Sequence, residues 1–76
     1  MKGGNGMELT NKERILLEDQ LKSEYICINK YKAYSAQSVD PEIKYLFDLV
    51  AKQEEQHANT IKLLLQQGGF SPPKQQ

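Results

Sequence analysis

Two stretches of the chain repeat apolar residues at helical spacing, and a short polar break containing a proline divides them. In the first, Leu17, Leu21, Ile28, Tyr31 and Ser35 fall within roughly 60° of one line when each residue advances about 100°, with Cys27 on the margin. In the second, Ile43, Phe47, Val50, Ala51, Ala58, Ile61 and Leu65 share one face by the same count. The opposite faces carry Lys22, Lys30, Asp48, Lys52 and Asn59, as a solvated surface requires. No strand alternation competes with this period, so the pattern predicts an all-α protein.

The helix ends are written in the sequence. Thr10 and Glu13 have capping-box spacing, in which hydroxyl and carboxylate satisfy backbone N–H groups at a helix start. Nothing breaks the pattern from there to Gln37. Asp40 then suits an N-cap, Pro41 the first helical position where its missing N–H costs nothing, and Glu42 the positive end of the dipole. Gly68 suits the stop. The expectation is two helices, Asn11–Gln37 and Pro41–Gln67, and a connection this short makes them an antiparallel hairpin. Residues 10–67 form the domain. The Gly-rich start predicts a flexible tail over residues 1–9, with Met7 an alternative first residue, and "GGFSPPKQQ" predicts a second flexible tail over 68–76.

Three side chains interrupt the apolar faces. Glu24 sits in the middle of the first line, and "QEEQHANTI" puts Glu54 and His57, the only histidine, among the apolar residues of the second. A three-residue spacing aims Glu54 and His57 the same way on a helix. Glu24 and Glu54 are equally far from Val39 at the middle of the turn, so the two carboxylates face each other at one height, with His57 about a turn away. A bare buried carboxylate is costly and must be neutralised, paired or bound to a cation. One reading is a Glu24–His57 polar layer that fixes helix register. The other is a metal site, which the convergence of three groups, two of them a Glu-x-x-His pair, favours.

Size enters at this point. A chain of 76 residues and 8.7 kDa buries a marginal core by itself, and a single cysteine, Cys27, excludes an internal disulfide. Two hairpins related by a two-fold axis would instead form a four-helix bundle by homodimerisation, doubling the candidate ligands to four Glu and two His. That set suits two ions shared per dimer, with iron or manganese preferred over soft-ligand metals and zinc a third choice. Ten basic and ten acidic residues cancel without forming a patch, which argues against nucleic acid and anionic membrane as partners. No apolar run reaches the ~18 residues of a membrane span, and no signal-peptide segment is evident, so a cytoplasmic protein is expected.

The runs "EYICINKYKAYSAQ" and "LFDLVAKQEEQHANTIKLL" resemble the ferritin-like superfamily, in particular the rubrerythrin-type helix pair, through Glu24, Tyr31, Tyr34, Glu54, His57 and Ala58. The longer run from Leu9 to Ile61 is similar to the short ferritin-like proteins of endospore-forming bacteria labelled spore coat proteins. The resemblance implies Glu24, Glu54 and His57 as metal ligands, a di-iron or similar centre, Tyr31 as a core tyrosine beside it, and iron or peroxide chemistry. The alternative it implies is a structural role in the spore coat with a non-catalytic Glu/His layer. Rubrerythrins that reduce peroxide carry a separate Cys-x-x-Cys iron domain; with Cys27 alone, such turnover needs an outside electron donor.

The remaining residues have plainer expectations. Cys27 reads as a small buried hydrophobe. Tyr25, Tyr31 and Tyr34 read as packing, with Tyr31 placed to hydrogen-bond a ligand carboxylate. Glu18 and Glu55 fall off the metal line, on the solvated side. Ile15, Ile26, Tyr45 and Leu63 look outward, a feature that favours assembly beyond a dimer.

Overall fold

A computed structural model describes residues 8–75 and contains two α-helices, α1 (Asn11–Gln37) and α2 (Pro41–Gln67), packed side by side as an antiparallel hairpin. The expected N-terminal tail and the alternative start at Met7 lie outside the described residues, apart from Glu8 and Leu9. Among the described residues no helix is long and apolar enough to cross a membrane.

Local chemistry accounts for both helix starts. At α1 the Thr10 hydroxyl accepts from the Glu13 N–H and the Glu13 carboxylate accepts from the Thr10 N–H, both at 3.0 Å. At α2 the Asp40 carboxylate accepts from the Glu42 N–H at 2.9 Å, with Pro41 in the first turn. Near the turn, Ser35 is buried on α1 and its carbonyl accepts from Lys44 Nζ at 3.1 Å, tying the helices together where they diverge into the connection.

The core is small. Leu21, Tyr25 and Ile28 of α1 meet Ala58, Ile61 and Leu65 of α2, with Leu9, Leu17 and Phe70 packed around them. Toward the turn an aromatic group takes over: Tyr31 stacks on Phe47 at 6.1 Å, and Tyr34 meets the same ring edge-on at 5.3 Å.

The end of α2 redirects the chain back onto the hairpin. The left-handed residue is Gly69 (φ 88°), one beyond Gly68. Its N–H donates to Gln66 O at 3.0 Å and the Phe70 N–H donates to Leu65 O at 2.9 Å, a Schellman closure that drops Phe70 onto the core beside Leu65. The chain then doubles back along α1. Arg14 stacks over the Phe70 ring at 5.1 Å, and the Tyr25 hydroxyl donates to Pro73 O at 2.9 Å. Residues 68–75, within the stretch 68–76 expected to be a flexible tail, form a strap over one flank of the hairpin, because prolines that forbid helix still permit an extended chain to lie on apolar surface.

Tyr25 is buried under this strap, and desolvation holds its phenol above the ordinary value near 10. The folded state thus keeps this proton longer than the unfolded chain does. Its contribution is fully present below about pH 10 and is lost as pH rises through the higher folded value. Tyr25→Phe should cost about 1 kcal/mol, or ~4–8 °C in Tm, and should remove this alkaline loss. Melting curves from about pH 8 to about pH 11 check both: an unaltered alkaline profile in the variant would show that Tyr25 does not set the alkaline loss, and an unchanged Tm near neutral pH that its hydroxyl does not anchor the strap.

Candidate metal centre

Glu24 sits halfway along α1 in a layer bounded by Leu21 and Ile28, and Ala51 and Ala58 leave room opposite for longer side chains. The antiparallel pairing brings Glu54 and His57 of α2 to that level. One potential ligand atom from each of Glu24, Glu54 and His57 lies within 4.8 Å of the other two. The equal distances of the two glutamates from the turn therefore translate into side-by-side carboxylates, as the sequence count requires.

The three groups differ in exposure, and the differences carry information. Glu24 is buried at 8 % exposure, whereas the side chains of Glu54 and His57 are 21 % and 64 % exposed. Within the single chain His57 is at the open edge of the layer and not inside it, because the α1–α2 contact covers only part of the apolar stripe on α2. A 3.0 Å hydrogen bond joins His57 Nδ1 to Glu54 Oε1, with the Nδ1–H tautomer donating. The register-fixing pair that the sequence allows, Glu24 with His57, is not what forms.

Glu24 has two unlike oxygens. Oε2 accepts from Gln20 Nε2 at 2.8 Å, one turn back on the same helix. Oε1 is fully buried and has no hydrogen-bond partner. Leaving a buried acceptor unsatisfied costs about 1–3 kcal/mol, and more for a charged group. The same carboxyl group has an imidazole and a second carboxylate close by. A cation placed among them satisfies Oε1, offsets the repulsion between the carboxylates and takes the place of the proton between Glu54 and His57. The donor set of two carboxylates and one imidazole fits a borderline or hard divalent ion such as Fe(II), Mn(II) or Zn(II).

Gln20 is the residue that sequence reasoning missed. Its signal was available, since a Gln four residues before a Glu on a helix is placed to donate to it. Tyr31 packs, as its spacing leads one to expect, but the hydrogen bond it was placed to make does not form. It is held by ring contacts with Tyr34 and Phe47, and no hydrogen bond links it to a ligand carboxylate among the described residues; seven residues along a helix is roughly 10 Å. Glu18 pairs with Arg14 and Glu55 with Lys32, so both stay out of the site. Cys27 is half-buried and free.

Comparison with known proteins bears on this geometry at one point. The family model described as Rubrerythrin matches residues 16–73, a span that includes Glu24, Glu54 and His57. No curated protein and no solved structure gives a significant match.

Proposed function

We propose, from the premise that the chain belongs to the rubrerythrin family, that it binds iron or a similar divalent metal through Glu24, Glu54 and His57. The observation that carries this reading is that Glu24, buried with one oxygen unpartnered, belongs to a Glu/Glu/His group whose ligand atoms lie within 4.8 Å of one another. Gln20 holds the other oxygen, which fixes the carboxylate and leaves Oε1 as the atom presented to the ion.

One chain supplies half of the set that di-metal carboxylate bundles use. Two copies about a two-fold axis supply four Glu and two His, enough for two ions, so the functional unit in this reading is a homodimer closed as a four-helix bundle. Bound iron would supply the redox couple that chemistry with oxygen or peroxide needs. The protein's own part is to hold the ligands in a largely apolar layer and to limit the access of water. A structural role, as in a spore coat, is the second reading. The outward Ile15, Ile26, Tyr45 and Leu63, all exposed in the hairpin, favour it because they offer contacts for further assembly.

Metal analysis of the purified protein, followed by anaerobic Fe(II) titration, tests the first reading. About one ion per chain is expected. A chain that stays metal-free and takes up neither Fe(II), Mn(II) nor Zn(II) at micromolar concentration would leave only the structural role.

A further inference from the structure

The turn at Gly69 sends the strap back along α1, and three contacts fix its path. The Arg14 guanidinium lies over the Phe70 ring, Pro73 O accepts from the Tyr25 hydroxyl, and Gln75 Nε2 donates to Asn29 Oδ1 at 3.4 Å. Between the strap and α1 lies a cleft of about 480 Å³, lined by Lys22, Tyr25, Ile26, Asn29, Pro73 and Lys74. Clefts of that volume fall in the range of small-molecule sites, ~300–1,000 Å³. On the wheel of α1, Lys22, Ile26 and Asn29 point roughly 140–160° away from Glu24, so this cleft is separate from the candidate metal centre.

The lining joins two kinds of surface. Tyr25, Ile26 and Pro73 form an apolar floor, on which Ile26 is left 68 % exposed. Lys22 and Lys74, far apart in sequence, meet here only because the strap returns to α1. Neither makes an ion pair or hydrogen bond among the described residues, not even Lys22 with Asp19 three positions before it. Across the strap Lys62 of α2 is also unpaired, and Glu55 on that side is engaged by Lys32. The cleft therefore carries uncompensated positive charge above apolar surface. A neutral apolar ligand would leave the two ammonium groups desolvated without a partner. A polyanion needs a track of many cations, and a metal ion needs donor atoms that ammonium groups lack. We infer that the cleft binds a small organic acid, its carboxylate taken by Lys22 and Lys74 and its ring or short chain laid on Tyr25, Ile26 and Pro73. Flexible lysine stems let both ammonium groups close on one carboxylate. The Tyr25–Pro73 and Asn29–Gln75 hydrogen bonds hold the strap in place as the second wall.

Titration of the full chain in chelator, followed residue by residue through its backbone amide NMR signals, tests this without involving the metal-binding reading. The probes are 3-phenylpropionate, its uncharged amide, inorganic phosphate and a hexaglutamate peptide. Only 3-phenylpropionate should give saturable shifts centred on Ile26, Asn29 and Lys74, with a Kd of about 1 mM or lower. Added salt should weaken it. Lys22→Gln and Lys74→Gln, both at exposed positions where the fold is indifferent, should each weaken it about two- to fivefold, and the double variant more. No shift at these residues up to about 20 mM acid overturns the inference, as does equal binding of the amide or an unchanged Kd in the double variant. Saturation by phosphate alone would make the cleft a simple anion site, and saturation by hexaglutamate alone a contact for an acidic protein; either result also overturns it.

Discussion

His57→Ala should leave the melting temperature of the metal-free protein within a few degrees of the parent and abolish the rise that Fe(II) or Zn(II) produces. The two halves of this result have different causes. In the metal-free chain the imidazole is mostly exposed and makes one hydrogen bond, to Glu54. Losing such a group costs on the order of 0.5 kcal/mol. With metal present, an ion that binds only the folded state stabilises it by mass action, by about 4 kcal/mol at a thousandfold excess over Kd. For a domain of this size that is roughly 15 °C or more. Deleting the only nitrogen ligand should remove nearly all of it, and chelator should then have no further effect on the variant. Differential scanning calorimetry with and without metal and chelator decides the matter. If His57→Ala keeps the full metal-dependent rise, the imidazole is not a ligand and the site is built from other groups.

Much of this arrangement could be read before any coordinates, and the reason is physical. Helix ends were legible because Thr10, Glu13, Asp40 and Pro41 act within one turn of themselves, and local chemistry depends little on the rest of the chain. The level of the site was legible because a short turn fixes register, so equal distances from Val39 place Glu24 beside Glu54. Two features were not legible. The burial of Tyr25 depends on Pro73, 48 residues away, and on the path set by the left-handed Gly69, which composition alone labels a tail. The exposure of His57 depends on how much of a wide apolar stripe one neighbouring helix covers. A helical wheel gives the angle of a side chain but not which neighbour lies on that side, so His57 could not be assigned from sequence to the hairpin interior or to its open edge.

Glu24→Gln should move stability in opposite directions depending on metal, and this makes it the sharper test of why an acid occupies the core. The substitution keeps the shape of the side chain and its acceptor for Gln20 Nε2, but it removes the charge and replaces the orphan Oε1 with an amide nitrogen in the same group as Glu54 and His57. In the metal-free protein a buried, unsatisfied acceptor disappears, and the new N–H₂ donates toward the Glu54 carboxylate. The variant should be more stable than the parent by about 1–3 kcal/mol, or up to some 10 °C or more in Tm. In the presence of metal the order should invert, since a neutral amide is a poor substitute for a carboxylate ligand and the parent alone gains the mass-action term. A site that exists to hold an ion is expected to be strained while empty of one, because the repulsion and desolvation that burden the ligands are what the ion relieves. A polar layer that exists only to set register makes the other forecast: Glu24→Gln would then shift stability equally with and without metal. Paired melting curves of parent and variant in chelator and in excess Fe(II) or Zn(II) distinguish the two, and only an inversion of their order on adding metal shows that Glu24 is a burden the folded chain carries for the sake of a ligand.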